Sequence, residues 1–373
     1  MVKIMINPAR RVNRIELSQI RKMFVAPNPD TVNLGIGEPD FDVPENIKLA
    51  MQEAINENDT HYTPNKGYEE LQEVIANKLD KDNNIKTEAD NVIITAGASE
   101  ALYACSQAFF DKGDEIILPN PSFLGYSAWI KLSDATPVFA DCYFENEFKL
   151  KAEDVEKKIT DKTKAIILNS PSNPTGSVMD KEDVKAIADL ATDNDILIIS
   201  DEIYEKIIYK GKHYSPRAYS DNVITINGFS KTYAMTGLRV GYLNANEQFN
   251  EELLKIHQYC VACTSSISQR GALEALTGPQ DSVKKMVKEF KRRRDLIVTS
   301  LNDLGYSTCN AGGAFYVFPQ VDDSNTFVQK ALDNGVVTVG GSAFGSNGKN
   351  HVRMSYANSY ENIELAMERL SKI

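Results

Sequence analysis

Five short runs in this chain are apolar almost without interruption. They are Val92-Ile93-Ile94, Glu115-Ile116-Ile117-Leu118, Ala165-Ile166-Ile167-Leu168, Ile196-Leu197-Ile198-Ile199 and Val223-Ile224-Thr225-Ile226. A strand with one wet face alternates apolar and polar residues. A continuous run means that both faces are covered, as in a parallel sheet. Between the runs the period changes to that of a helix: Val184, Ile187, Ala188 and Ala191 recur at i, i+3, i+4 and i+7. The alternation predicts an α/β fold, a mainly parallel sheet wrapped by helices.

The C-terminal part reads differently. Pro279 to Gly305 is one long polar helix, followed by β-rich runs at Ala314 to Phe318, Val336 to Val339 and Val352 to Tyr356. This predicts a smaller α+β unit. A chain of 373 residues also exceeds one core of ordinary size. The expected division is 1–43 as an N-terminal arm and part of a small domain, 44–278 as a large domain, and 279–373 as the rest of the small one. Ala26 to Asp30 reads as a surface loop.

Charge narrows the function. A net charge of -11 argues against a general footprint for nucleic acid or an anionic membrane. The run Lys291-Arg292-Arg293-Arg294 continues a helical pattern and reads as a solvated helix face. No apolar run approaches the ~18 residues of a membrane span. Met1 to Arg14 lacks the apolar stretch of a secretory signal. Five scattered cysteines fit reduced thiols in the cytoplasm. Cys260 and Cys263 have C-x-x-C spacing within a helical pattern, with no second pair or nearby His to complete a zinc set. The four histidines, His61, His213, His257 and His351, show no metal-binding spacing, so no metal is expected.

Ligands of open α/β sheets bind beyond the carboxyl ends of the strands. Each run here is followed by suitable chemistry. After Val92 to Thr95 come Gly97, Ala98 and Ser99 at a helix start, where backbone N–H groups and the helix dipole favour an anion. This is neither G-x-G-x-x-G nor a P-loop, which disfavours a dinucleotide and with it an NAD-dependent oxidoreductase. After Ala165 to Leu168 comes Asn169-Ser-Pro-Ser-Asn173-Pro-Thr-Gly176, a stiff loop that presents Asn173. After Ile196 to Ser200 comes Asp201-Glu202-Ile203-Tyr204. A buried carboxylate there is costly unless a cation or hydrogen bonds meet it, and a helix cap is its plainer reading. After Val223 to Ile226 comes a small-residue loop with Ser230, Lys231 and, eight residues later, Arg239. A lysine there can be desolvated and reactive.

Taken together these residues resemble the fold-type-I pyridoxal-phosphate-dependent aminotransferases. The motifs that carry the resemblance run in order along the chain: Gly35-Ile36-Gly37-Glu38-Pro39-Asp40-Phe41, Asn169 to Gly176, Ser200 to Tyr204, Ser230-Lys231 with Arg239, and His351-Val352-Arg353-Met354-Ser355-Tyr356. The aspartate and aromatic aminotransferases of archaea and bacteria are the most similar branch. The resemblance implies a seven-stranded, mainly parallel sheet and a small domain built from both termini. It implies pyridoxal 5'-phosphate as cofactor, with Lys231 as the lysine that carries it and moves the substrate proton. It also implies a homodimer with shared active sites.

Further roles follow from the resemblance. Asp201 pairs with the pyridine nitrogen; Tyr204 and Asn173 hydrogen-bond the ring oxygen; Phe123 stacks on the ring. Gly97, Ala98, Ser99, Ser230 and Arg239 hold the phosphate, and Tyr62 reaches the phosphate of a neighbouring subunit. Arg353 grips the substrate α-carboxylate as a bidentate fork, helped by Asn173 and the Gly37 backbone. The implied reaction moves an α-amino group from aspartate or an aromatic amino acid to 2-oxoglutarate in two half-reactions. Two departures stand out: Gly228 where relatives carry a phosphate-binding Ser or Thr, and Ala98 where glycine is common. A C–S lyase on the same fold and a non-catalytic ligand-binding protein are the competing readings. For the substrate side chain, Tyr126 and the segment Ile15 to Phe24 are the candidate selectors.

Overall fold

The first described strand, β1 (Val32–Asn33), belongs to a small pair. The next seven form one sheet: β2 (Val92–Thr95), β3 (Glu115–Asn120), β4 (Thr136–Asp141), β5 (Thr163–Asn169), β6 (Leu197–Asp201), β7 (Val223–Gly228) and β8 (Gly241–Asn244). These ranges come from a computed structural model that describes residues 6–17 and 30–373. The strand order is β2-β8-β7-β6-β5-β3-β4. β3 to β7 run parallel, and β8 lies antiparallel between β2 and β7. The expected sheet is thus borne out, with one reversed strand.

The reason for continuous apolar runs is visible in the packing. Ile93, Ile116, Leu118, Ile167, Ile199, Ile224 and Ile226 point to one face, under the helices Ala98–Phe109 and Glu247–Val261. Ile117, Ile166, Leu168 and Ile198 point to the other, against Val184, Ile187, Ala188 and Ala191 of the helix Lys181–Asp193. Burying each such side chain is worth about 1.5–3 kcal/mol. The edge strand β4 is only partly buried.

The C-terminal unit starts with the helix Asp281–Asp303. It then has β9 (Tyr316–Val317), β10 (Val336–Val337), β11 (Val339–Gly340) and β12 (Val352–Ser355), with the helices Ser324–Asp333 and Tyr360–Leu370. β9, β12 and β11 form an antiparallel sheet. β1 pairs in parallel with β10, so residues 32–33 join this unit from the far end of the chain.

Two local readings need correction. In the basic run only Lys291 and Arg292 are solvated; Arg293 and Arg294 are buried. The helical period puts both on the stripe with Met286, Phe290, Ile297 and Leu301. Their heads are met there: Arg293 by Asp40 at 2.7 Å and Glu289 at 3.0 Å, Arg294 by Asn310 at 2.6 Å. The C-x-x-C spacing also straddles a helix end. The helix stops at Val261, Ala262 has φ +62°, and Cys263 lies beyond. None of the five cysteines is disulfide-bonded. Among the described residues no helix is long and apolar enough to cross a membrane. Of the expected loop Ala26 to Asp30, only Asp30 is described.

Candidate active site

The ends of β2, β5, β6 and β7 open onto one cavity of about 250 Å3. Ala98, Ser99, Phe123, Asn173, Asp201, Tyr204, Ser230, Lys231, Arg239, Gly37 and Arg353 all line it. Parallel strands bring their carboxyl ends to one edge, and Gly37 and Arg353 reach the same cavity from outside that sheet, Arg353 from β12.

Asp201 is the last residue of β6 and is 5% exposed. Its Oδ2 accepts a 2.7 Å hydrogen bond from the Tyr126 hydroxyl, and its Oδ1 accepts the Ile203 N–H at 3.3 Å. Burial pushes its carboxyl up to about 6, against those hydrogen bonds, which favour the anion. The Ile203 contact is cap-like, but no helix follows, so the helix-cap reading fails. Tyr126, expected as a side-chain selector, lines the cavity and gives its hydroxyl to Asp201. It sits one turn after Phe123 on the helix Leu124–Leu132, and that helix aims its hydroxyl at the sheet.

Lys231 donates its Nζ to the Gly37 carbonyl at 2.7 Å. Desolvation brings its ammonium down to about 8; Glu38 opposes this, while Arg239 and Arg353 add to it. A neutral amine is therefore accessible near neutral pH. Ser230, beside it, faces the same cavity.

Above the helix Ala98–Phe109 the backbone closes on Arg239. Gly97 has φ +80°, and a Cβ built there would lie 2.6 Å from Arg239 Nη2. Glycine is thus needed for conformation, and any side chain there would push the Arg239 guanidinium aside. Arg239 donates only to carbonyls, Thr236 at 2.9 Å and Ala96 at 3.4 Å. Its charge meets no carboxylate among the described residues. An uncompensated guanidinium, a helix N-terminus and the hydroxyls of Ser99 and Ser230 form a donor set for a phosphate. Gly228 has a physical reason as well. It pairs with Gly241, and a Cβ would lie 3.0 Å from the Gly241 Cα and 3.2 Å from the Val240 oxygen. No Ser or Thr fits there without moving β8.

Arg353, on β12, is 2% exposed. Its Nη1 donates to Asn173 Oδ1 at 3.0 Å and its Nη2 to the Gly35 carbonyl at 2.7 Å, while its Nε is buried without a partner. Gly35 supplies the backbone acceptor, while Gly37, expected beside the substrate carboxylate, lines the cavity. The guanidinium lies 4.7 Å from the Tyr316 ring centre and 5.0 Å from that of Phe344. A buried cation with only neutral neighbours is costly unless an anion completes it.

The donor set fits pyridoxal phosphate group by group: a cationic cradle for phosphate, a buried acid for the ring nitrogen, an aromatic plate in Phe123 and a depressed lysine. Tyr204 also lines the cavity, its hydroxyl 2.9 Å from that of Tyr316. Burial raises the Tyr204 hydroxyl well above its ordinary value, so it stays a donor. Tyr316 is a cavity residue that the sequence reading missed. Its signal was the run Ala314 to Phe318, where every side chain is apolar or aromatic and the inward face is not marked. Tyr62 does not join the others: it is 89% exposed and borders a separate hollow with His61 and Cys263. Of the candidate selector segment Ile15 to Phe24, residues 18–24 lie outside the described residues.

The sequence matches the family described as aminotransferase class I and II over residues 29–370. It is 47% identical to a probable aspartate aminotransferase of Methanocaldococcus jannaschii, covering 97% of this chain and 98% of that one. It is 40% identical to aromatic-amino-acid aminotransferase 2 of Thermococcus litoralis, covering 97% of each. The fold superposes on the aspartate aminotransferase of Thermus thermophilus with maleate at a TM-score of 0.93 and 35% identity, over 99% of this chain and 100% of that one.

Proposed function

The chain belongs to the class I and II aminotransferases, pyridoxal-phosphate-dependent transaminases acting on amino and oxo acids, and we propose that its donor is aspartate or an aromatic amino acid and its acceptor 2-oxoglutarate. The observation that carries this reading is Arg353, a buried guanidinium held by neutral groups beside Lys231. Its planar fork suits the carboxylate common to every α-amino acid. The two donor classes rest on the names of the relatives from Methanocaldococcus and Thermococcus, and on the maleate in the Thermus structure.

Pyridoxal phosphate, when bound, supplies the electron sink for the substrate carbanion. The chain does the rest. Arg239, Ser99, Ser230 and the N–H groups after Gly97 hold the phosphate. Asp201 keeps a proton on the ring nitrogen, and Tyr126 holds the Asp201 carboxylate in its charged form. Phe123 covers the ring face, and Tyr204 and Asn173 donate to the ring oxygen. Arg353 fixes the α-carboxylate, which sets the Cα–H bond against Lys231. Lys231 Nζ, so placed, would be the general base for the Cα proton, and its range near 8 suits neutral pH.

Tyr62, so exposed on one chain, fits a homodimer in which it reaches the partner's phosphate site. Residues 44–278 are read as the cofactor-binding domain, with 1–43 and 279–373 forming the smaller one. Unpaired cysteines fit a cytoplasmic setting. A panel of amino acids assayed with 2-oxoglutarate tests the substrate assignment. Aspartate or the aromatic acids should give the highest kcat/KM; a faster aliphatic or basic donor would overturn it.

A further inference from the structure

A second cavity, of about 500 Å3, lies behind the Lys231 loop. The two cavities share a wall. Asn227, Phe229, Thr232 and Tyr233 line the second one, while Ser230 and Lys231, within the same segment, line the first. The opposite walls are the helices Glu69–Asn83 and Ser266–Thr277, which take no part in the active site. The volume lies in the range of metabolite sites.

The lining has a marked polarity. Val74, Phe229, Tyr242 and Leu276 give an apolar interior. Within it Asn227 is only 2% exposed. Its Oδ1 accepts the Gly228 N–H at 2.7 Å, but its Nδ2 is buried with no acceptor among the described residues. A buried amide donor of this kind calls for an acceptor on whatever fills the space. The lining also carries three ammonium groups, Lys78, Lys81 and Lys206, and two carboxylates, Asp82 and Glu205. Lys78 is paired with Glu205, and Lys206 with Asp82. Lys81 is exposed and has no acid partner among the described residues. One cation is left over.

We propose that this cavity is a second ligand site, separate from the active site, for a small monocarboxylate with an apolar body. The carboxylate would take Lys81 and the free Asn227 amide, and the body would fill the space against Phe229 and Leu276. Occupancy would be felt by the loop that carries Lys231, because that loop is its wall.

The test uses benzoate as probe, titrated calorimetrically into the wild-type holoenzyme and two variants. Lys81→Glu reverses the spare charge, and Thr277→Trp fills the mouth from an exposed helix end. Each variant should lose one equivalent of benzoate per chain, or bind it at least about tenfold more weakly. Turnover without benzoate should stay within about twofold, since neither residue touches the catalytic cavity. Unchanged benzoate stoichiometry and affinity in either variant would overturn the proposal.

Discussion

Asp201 and Glu202 are adjacent, acidic and buried, yet they belong to opposite sides of the sheet. Glu202 is surrounded by donors: Ser200 at 2.9 Å, Ser215 at 2.5 Å, His213 at 2.8 Å and Asn83 at 3.5 Å. Its neighbour Glu205 is paired with Lys78. Burial pushes Glu205 up, but Lys78 and His213 outweigh that and hold it at about 2. On the front side Asp201 has one phenol and one N–H, and burial wins, taking it to about 6. Lys231, Arg239 and Arg353 likewise donate only to carbonyls and an amide. On the rear side the carboxylates of Glu202 and Glu205 are met by the protein's own donors, although His213 Nδ1 has no partner among the described residues, whereas the front charges are left for a ligand to complete. The contrast separates scaffold from site without reference to any relative.

That contrast predicts which measurement each substitution moves. Lys231→Ala should remove turnover by at least about a thousandfold and abolish the visible absorbance of lysine-bound cofactor, since anchor and proton shuttle go together. Residual turnover near wild type would put the base elsewhere. Arg353→Lys keeps the charge but loses the fork. It should lower kcat/KM by about 30- to 150-fold for acidic and aromatic donors alike, with cofactor content unchanged. A loss confined to one donor class would make Arg353 a side-chain selector.

The rear side should respond in stability instead. Glu202→Gln leaves the His213 and serine contacts without their anion, and denaturant unfolding should show a loss of about 1–3 kcal/mol. The kcat per folded, cofactor-loaded chain should stay within about twofold. A large fall in kcat at unchanged stability would erase the distinction between the two sides.

Much of the front side was legible because buried strands announce themselves and the chemistry follows their carboxyl ends. Asp201, Asn173 and Lys231 each follow an apolar run within a few residues. What escaped depends on direction in space. Nothing in Phe123-Leu-Gly-Tyr126 says that the tyrosine hydroxyl meets Asp201, because the helix Leu124–Leu132 is oriented by packing on β4 and on the helix Ala98–Phe109. Arg293 and Arg294 look like their solvated neighbours until the rest of the helix fixes the buried stripe. Gly228 reads as a missing phosphate ligand; its cause is the close approach of the paired strand β8, which the residues around Gly228 do not announce.

The smallest expected effect tests the front side most finely. Tyr126→Phe removes one hydroxyl and nothing of the phenyl ring, which is 1% exposed and packs edge-on to Phe123 at 5.5 Å. The hydroxyl donates to the charged form of Asp201, so it holds that carboxyl down against burial. Without it, burial is opposed only by the Ile203 N–H and nearby cations, and Asp201 takes up its proton at a higher pH. The acid limb of the kcat profile should therefore move up by roughly half to one pH unit, as for a single lost charge-assisted hydrogen bond. Well above that limb the carboxylate is ionised in both proteins, and kcat should differ by no more than about threefold. A merely structural tyrosine would lower stability and scale kcat equally at every pH. An unshifted acid limb would thus remove Tyr126 from the electrostatics of the site and leave Asp201 governed by burial and the cofactor alone.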